Sequence, residues 1–266
     1  MKVYGVDFTS APQRSKPIVA AACELAERRL VLRDFLEFSD WPAYELWLGR
    51  DDQWIAGFDF PFGLPRRFVD AQGWPRDWAS MVRACAGIGK EAFSRIAMRA
   101  FQDAQLTADK HRATDLAARS ESPLKTMANP PVGKMFYEGS WRLVSSRLHV
   151  AALHETGSKK IALEAYPGLL VRRLGETYYK NDKPSNADRN AAARRRILDA
   201  LRAGRHPQGK LKLELASRRL ASALQDPSGD WLDAVLCAVQ AADASSKRKF
   251  GLPDRIEPCE GWIVSA

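Results

Sequence analysis

The chain has few cysteines and no arrangement of them that indicates a disulfide framework or a zinc site. No C-x-x-C pair occurs, and the four cysteines lie far apart, at Cys23, Cys85, Cys237 and Cys259. Isolated thiols of this kind are typical of buried residues in a reducing compartment. The histidines also show no ligand spacing, so ordinary core or surface positions are expected for His111, His149, His154 and His206.

Long hydrophobic runs and targeting signals are lacking too. The mean hydropathy is -0.35, and no apolar run approaches the roughly 18 residues of a membrane span. The first residues lack the basic, apolar and small-residue order of a secretory signal, so we expect a cytoplasmic protein without a membrane partner. No internal repeat, low-complexity segment or nucleophile elbow around Ser or Cys is visible, which argues against a solenoid and a serine hydrolase.

The sequence has fewer acidic than basic residues. Forty-one Lys and Arg face thirty-two Asp and Glu, which gives a formal charge of +9. An excess of positive charge favours encounter with polyanions, so nucleic acid is a candidate partner. The alternative is that the basic clusters at 194–196, 218–219 and 247–249 are only solvated helix faces.

The most informative stretch that is present covers residues 54–64, WIAGFDFPFGL. Its aromatic and apolar residues predict a short strand that is covered on both faces. Asp59 is its only ionisable group, and an ionised carboxylate in such surroundings costs several kcal/mol unless a cation pairs with it. Open α/β sheets present their chemistry at the C-terminal ends of strands, which is where Asp59 lies.

The order of elements predicts an α/β protein in one domain, 1–266, that starts β, β, β, α, β. A mainly helical insertion is expected within it at 65–156, with a long loop at 120–139 that is punctuated by Pro and Gly. The predicted strands cover 2–8, 16–23, 28–36, 54–64, 159–166 and 260–264. The predicted helices cover 40–48, 76–118, 141–153, 168–174, 187–203, 210–224 and 231–244.

Acidic residues recur where these elements end. Three predicted strands finish on Asp7, Asp59 and Glu164, and the last helix carries Asp230 and Asp233 at i and i+3, on one face. Clustered carboxylates repel one another unless a cation neutralises them, and Mg²⁺ or Mn²⁺ prefer such oxygen ligands. Two ions would clamp the attacking and leaving oxygens of a phosphodiester.

Each acid also has a structural interpretation. Asp7 could form a turn, Glu164 could pair with a buried arginine, and Asp230 could be only the N-cap of its helix. Asp59 and Asp233 are harder to explain in this way, because their neighbours are apolar. The recurrence of acids at element ends favours the metal site over these separate explanations.

An ordered set of short motifs resembles the domain-of-unknown-function family 429, whose members are regarded as predicted nucleases with a ribonuclease H-like fold. The motifs run from the first strand to the last residues: Val6-Asp7, Phe58-Asp59-x-Pro61, Glu164-x-Tyr166-Pro167, Asp233-Ala234 and Glu260-Gly261-Trp262-Ile263. The resemblance implies a five-stranded mixed sheet with helices on both sides.

The D-x-x-D pair on the last helix is similar to the Holliday-junction resolvase RuvC branch of that fold. This resemblance implies that Asp7 lies on the central first strand, that Asp59 lies on the fourth, and that Asp230 and Asp233 complete the metal site. The RuvC pattern has Glu on the fourth strand, whereas this chain has the shorter Asp59. Glu164 has no counterpart in that four-acid set.

The leading hypothesis is a metal-dependent nuclease. Asp7, Asp59 and Asp233 are expected to hold the metal, and Asp230 or Glu164 to support it or orient water. Core and interface positions are expected for the eight tryptophans, with Trp74 and Trp78, which flank Arg76, as the exception that could stack on bases. Phosphate contacts are expected from the insertion and a later loop, at Arg112, Lys125, Lys134 and Lys183.

Two other classes of function are open. Sugar-kinase-like and actin-like phosphotransferases or ATPases share a related core and also end their first strand with Asp, but they usually have a glycine-rich turn after it. Here that turn is TSAP, residues 9–12. A non-catalytic binding protein would keep the fold and use the acids for structure.

Overall fold

The computed structural model describes residues 1–103, 107–207 and 210–266, which form a mixed sheet flanked by helices. The sheet has seven strands in the order β5-β6-β4-β1-β2-β3-β7. β1 pairs antiparallel with β2 and β2 with β3, and the remaining four pairings are parallel. The strands are β1 Lys2–Asp7, β2 Ile18–Ala26, β3 Arg29–Phe38, β4 Trp54–Asp59, β5 His149–Val150, β6 Lys160–Glu164 and β7 Lys212–Leu215.

In the described part of the segment 65–156 lie six helices and the short β5. The helices of the described chain are α1 Trp41–Gly49, α2 Arg66–Ala71, α3 Trp78–Ile88, α4 Lys90–Asp103, α5 Thr107–Lys110, α6 Ala113–Ala118, α7 Val132–Ser145, α8 Pro167–Arg173, α9 Ala187–Arg202, α10 Ser217–Gln225 and α11 Asp230–Ser245. None of them is long and apolar enough to cross a membrane.

The predicted α/β class is confirmed, but the predicted number of five strands is wrong. The two additional strands lie at the edges of the sheet and are only two and four residues long. Both fall in segments predicted to be helical, 141–153 and 210–224. Strands this short take their conformation from the neighbour they pair with, β6 for β5 and β3 for β7, rather than from a local period of two.

Two further predictions are corrected. The predicted loop 120–139 gives way to α7 at Val132, because Pro131 occupies the N-cap, where the missing N–H of proline costs no helical hydrogen bond. The predicted terminal strand 260–264 is reduced to one parallel bridge between Glu164 and Ile263.

The sheet separates two hydrophobic cores. Val6 and Phe58 belong to the core that also contains residues of α1, α3 and α7. Val3 and Ile55 belong to the core with α8, α9 and α11. Because side chains alternate along a strand, Asp7 and Asp59 point to the second core, on the side of α11.

Glycines let α11 lie directly on the two central strands. A Cβ atom at Gly5 of β1 would lie 2.0 Å from the carbonyl oxygen of Ala234 and 2.1 Å from the backbone nitrogen of Ala238. A Cβ atom at Gly57 of β4 would lie 2.5 Å from the carbonyl oxygen of Cys237. The absence of side chains at Gly5 and Gly57 therefore sets the distance between α11 and the strands that carry Asp7 and Asp59.

Candidate metal centre

Three aspartates meet where the central strands end. Asp7 and Asp59 are the last residues of β1 and β4 and are direct partners in the parallel register. Asp233 lies in the first turn of α11. One carboxylate oxygen from each residue lies within 4.8 Å of the others. The structure thus brings together the three residues that the sequence analysis named as metal ligands.

Local geometry explains how the helix reaches the strands. Gly229 precedes α11 with a φ of 81°, a left-handed conformation that glycine adopts without strain. Its carbonyl oxygen accepts the backbone N–H of Asp233 at 2.9 Å, so the first turn starts at this point. The positive end of the helix dipole lies in the same turn and favours carboxylates there.

Burial and mutual repulsion determine the electrostatics of the cluster. Burial raises the pKa of Asp59 to about 7, and the charge of Asp233 adds to that shift. Burial also raises the pKa of Asp7 well above its ordinary value, with further contributions from the neighbouring aspartates. Both shifts mean that the negative charge of the cluster is incompletely neutralised by the protein itself.

One ammonium group contacts the cluster directly. Lys180 Nζ lies 2.7 Å from Asp233 Oδ2, and the charge of Asp233 raises the pKa of Lys180. The hydroxyl of Tyr179 donates to the other oxygen of Asp233 at 2.5 Å. Asp233 is fully buried, whereas the Lys180 side chain is 41% exposed. The lysine can therefore move towards solvent while the tyrosine keeps the carboxylate oriented.

Asp230 stands beside the cluster rather than in it. Both of its carboxylate oxygens accept hydrogen bonds from Lys16 Nζ, at 2.9 and 2.8 Å. Its charge still contributes to the raised pKa of Asp7. It is the first residue of α11, after Gly229, so the proposed role as N-cap is wrong.

The donor set fits a hard divalent cation. Three carboxylate oxygens at this separation are the ligands that Mg²⁺ and Mn²⁺ prefer. The raised pKa values of Asp7 and Asp59 show that a cation would relieve unfavourable negative charge. In the described part of the chain, this is the one such group of acids that could hold a metal ion. No second group of this kind occurs among the described residues, and the number of ions, two in the sequence analysis, stays a prediction.

Glu164 is held in a separate network of buried ion pairs. The guanidinium of Arg112 donates to its two carboxylate oxygens at 2.7 and 2.9 Å, and the backbone N–H of Phe62 donates at 3.1 Å. Arg112 also pairs with Asp115 at 2.7 Å. The alternative that Glu164 pairs with a buried arginine therefore describes the structure.

The predicted phosphate contact at Arg112 is wrong for the same reason. Its side chain is 1% exposed, and its donors are used by Glu164, Asp115 and the carbonyl oxygen of Glu260. Glu260 in turn accepts the backbone N–H groups of Arg66 and Ala113, both at 2.9 Å. This network fastens α2, α6 and the closing segment to the sheet.

The three predicted lysine contacts lie on the surface to different degrees. Lys125 pairs with Glu121 at 3.0 Å and its side chain is 18% exposed. Lys134 is half-buried and Lys183 is exposed, and neither forms an ion pair within the described ranges. No contact in the described structure joins any of the three to the acids, so their role in binding phosphate stays a prediction.

The cysteines, Trp78 and His206 have structural positions, whereas Trp74 is partly exposed beside Phe68 and its role in stacking stays a prediction. All four cysteines are free and buried, as predicted. Trp78 is fully buried, and its indole N–H donates to the carbonyl oxygen of Phe62 at 2.6 Å, so it is not available for stacking on a base. His206 bonds the carbonyl oxygen of Leu211 at 2.7 Å.

Sequence reasoning missed Lys16, Tyr179 and Lys180. Tyr179 and Lys180 follow α8 in a polar loop, in the sequence TYYKNDKPS, where only Lys183 attracted attention. The paired tyrosines beside a lysine were the available signal, since a polar loop rarely needs two aromatic residues for packing. Lys16 gave no signal, because it is a single lysine at the start of the predicted strand 16–23, where a charged surface residue is ordinary.

Comparison with known proteins identifies one family whose model matches this chain. Searches of curated proteins and of solved structures found no match to this chain. One family model matches residues 5–257, a range that contains the three clustered aspartates and Glu164. Only the closing motif that begins at Glu260 falls outside it. The chain therefore belongs to the family described as protein of unknown function, DUF429.

Proposed function

We propose that the protein is a metal-dependent nuclease that hydrolyses phosphodiester bonds of nucleic acid. The observation that carries this proposal is the convergence of Asp7, Asp59 and Asp233, from three separate elements, at the ends of the central strands. Buried carboxylates that raise one another's pKa are typical of functional sites, and a bound cation would relieve their repulsion.

The topology supports a ribonuclease H-like assignment. β1 lies in the middle of the sheet, between β4 and β2, and Asp59 ends the fourth strand along the chain. These are the positions that the resemblance to that fold implies for Asp7 and Asp59. The two short edge strands add to the implied five without separating β1 from β4.

Each residue of the cluster and its neighbours would have a distinct role in such a site. Asp7, Asp59 and Asp233 would hold Mg²⁺ or Mn²⁺, and Tyr179 keeps the carboxylate of Asp233 in place. When bound there, the cation supplies a positive charge that stabilises the developing charge on a phosphodiester and lowers the pKa of water. Lys16, whose side chain is 47% exposed while it pairs with Asp230, offers a positive group to a substrate phosphate.

A nucleic-acid substrate is favoured by the surroundings of the cluster. The chain carries a formal charge of +9, which raises the rate of encounter with polyanions. Next to Tyr179, the side chain of Tyr178 is 65% exposed, and the guanidinium of Arg189 lies over its ring at 4.9 Å. An exposed aromatic with an adjacent guanidinium is a suitable surface for a base and its phosphate.

The test is cleavage of nucleic acid by purified protein with Mn²⁺ or Mg²⁺. Single-stranded, duplex, hybrid and branched substrates are compared for the natural protein, Asp7→Asn and Asp59→Asn. Asp52→Asn is the matched control, since Asp52 pairs with Lys2 at the opposite end of the sheet. We expect cleavage that both cluster variants lose and the control retains. Cleavage that survives both cluster substitutions would exclude this site.

One observation favours a second candidate, a non-catalytic binding protein. Asp233 already has Lys180 and Tyr179 as partners, so the cluster is partly neutralised without a metal. Titration calorimetry with Mg²⁺ and Mn²⁺ separates the two functions. Binding that Asp7→Asn abolishes supports the nuclease, whereas no binding at millimolar metal supports the non-catalytic protein.

A further inference from the structure

A cleft of about 420 Å³ lies on the helical side of the molecule, apart from the aspartate cluster. Its walls come from α3, from the end of α7 and from the segment that follows β5. Its volume is within the range of small-molecule binding sites. The polar and aromatic residues that line it are Arg83, Trp141, Ser145, Arg147, His154 and Thr156.

The cleft is positively charged. Arg83 and Arg147 are both exposed, and neither forms an ion pair with any residue that the structure describes. None of the described lining residues is acidic. The nearby Asp77 caps α3 by accepting the backbone N–H of Ser80 at 2.9 Å. Its bonding to Ser80 lowers the pKa of Asp77, and the charges of His154 and Arg83 lower it further, so Asp77 offsets part of the positive charge on this wall of the cleft. Two unpaired guanidinium groups on the walls of one cleft form a site for anions.

An exposed indole completes the site. Trp141 is 41% exposed, an unusual exposure for a chain whose Trp47, Trp54 and Trp78 are all buried. Within the described ranges no aromatic ring or cation lies over Trp141, and its 41% exposure leaves part of the indole open to a ligand. An aromatic face between two arginines matches the two parts of a nucleotide, a base that stacks and a phosphate that carries charge.

We propose that this cleft binds a nucleotide unit of single-stranded nucleic acid, with the base on Trp141 and the flanking phosphates on Arg83 and Arg147. The inference rests on the proposed function for its substrate class, and it assigns that substrate a second point of attachment. A cleft of this size admits an unstacked base, whereas a base inside a duplex is not exposed to an indole.

Buried residues connect the cleft with the metal centre. The ring of His154 lies 5.9 Å from that of Trp78, and Trp78 bonds the carbonyl oxygen of Phe62. Phe62 follows Asp59 by three residues along the chain. Trp78 thus supports both the wall of the cleft and the segment that leaves β4, which gives the two sites a rigid common framework.

The test measures binding without cleavage. Asp59→Asn protein in EDTA is titrated against a fluorescein-labelled oligothymidylate, with anisotropy as the readout. We expect Trp141→Ala, in that background, to weaken binding by roughly 5- to 100-fold, the range for loss of one stacked base. Trp141→Phe should restore most of the affinity, because a phenyl ring still stacks.

The arginines are tested by the dependence of affinity on salt. The double variant Arg83→Ala/Arg147→Ala should reduce the slope of log affinity against log salt by about 1.4, since each single-strand phosphate contact contributes about 0.7. The matched control is Arg28→Ala/Arg205→Ala, which removes the same charge from two exposed arginines without an ion pair in the described chain. Arg28 lies in the β2–β3 turn, at the far end of the sheet from Asp7.

The outcomes distinguish this inference from the proposed function. If the cleft variants bind the oligonucleotide as tightly as the Asp59→Asn parent protein does, the cleft is not a binding site, whatever the protein cleaves. If their binding falls while the natural protein cleaves no substrate with Mn²⁺, the cleft is supported and the nuclease proposal fails. Equal losses for the cleft pair and the control pair would indicate attraction by net charge alone and would overturn the inference.

Discussion

Asp59 lies at the point where strand register and helix packing place three carboxylates together. Its partner in the register is Asp7, and α11 brings Asp233 to the same place. In the folded protein its pKa is raised to about 7, compared with an ordinary value of 3.8. A carboxyl group whose pKa is raised by folding stabilises the fold below its unfolded pKa, and this contribution is lost as the pH rises through 7.

Asp59→Asn should therefore stabilise the metal-free protein at high pH. We expect the variant to exceed the natural protein in free energy of unfolding by an amount that grows between pH 4 and 7 and reaches roughly 2–4 kcal/mol at pH 8. Urea unfolding in EDTA at several pH values measures this difference. Asp52→Asn should show no such gain, because the pKa of Asp52 is lowered by its bond to Lys2. A difference independent of pH would contradict the raised pKa.

Lys180 occupies the same electrostatic position as a metal ion would, so the two compete for Asp233. Lys180→Met removes the ammonium at 2.7 Å, and we expect the affinity for Mn²⁺ to rise by roughly ten-fold, since a solvent-screened charge at this distance is worth about 1.5 kcal/mol. The same variant should lower the stability of the metal-free protein. Calorimetry measures the affinity, and Lys183→Met, three residues later and exposed, is the control. An unchanged or lower affinity would show that Lys180 assists the metal.

At the scale of elements, the contact between α11 and the strands β1 and β4 sets the position of Asp233. Gly5 and Gly57 face the backbone of α11 at distances that leave no room for a methyl group. The helix is buried along most of its length, so it cannot tilt away without opening the core that contains Val3 and Ile55. The metal centre therefore depends on two glycines that carry no chemistry.

Gly5→Ala tests this dependence. The added Cβ would overlap the backbone of α11, and we expect a loss of roughly 3 kcal/mol or more in free energy of unfolding, measured in urea. Gly87→Ala is the matched control, because a Cβ at Gly87, within α3, meets nothing within 4 Å. It should stabilise the protein by up to about 1 kcal/mol, as alanine favours helix. Similar effects of the two substitutions would disprove close packing at Gly5.

At the scale of the whole molecule, a buried network connects the helical segment with the sheet. Arg112 joins Asp115 of α6 to Glu164 at the end of β6, and it also bonds the carbonyl oxygen of Glu260 in the closing segment. Burial raises the pKa of Glu164, and the charge of Arg112 opposes that shift. Such a network fixes geometry, since removal of one member leaves the others charged and buried.

Arg112→Met should thus destabilise the protein strongly. We expect a loss of roughly 3–5 kcal/mol and faster proteolysis within 65–156, because the buried carboxylates of Glu164 and Asp115 would be left without a cationic partner. Adding Glu164→Gln should recover part of the loss, since it removes one of the unpaired charges. Arg66→Met, which breaks the exposed pair with Glu257, should cost less than about 1 kcal/mol. Equal losses for the two arginines would contradict the structural role of the network.

Part of this architecture could be predicted from the sequence, because it depends on local patterns. Apolar alternation marked β1, a continuous apolar run marked β4, Asp40 marked the start of α1 as a capping residue, and strand ends marked Asp7 and Asp59. The hydrophobic pattern of a strand and the capping of a helix involve residues only a few positions apart, so both can be recognised from the sequence alone. The α/β class and the three clustered aspartates follow from such signals.

Tertiary structure alone decided which charge meets which. Arg112 and Glu164 are 52 residues apart and Lys180 and Asp233 are 53 apart, and no local pattern identifies the carboxylate that either cation contacts. The packing of α6 and of the loop after α8 against the sheet determines which carboxylate each cation meets. In the same way, the conformation of the short strands β5 and β7 depends on the strands they pair with, β6 and β3. Contacts between residues so far apart in sequence depend on the path of the whole chain. Only the tertiary structure therefore showed that Glu164 lies outside the metal centre.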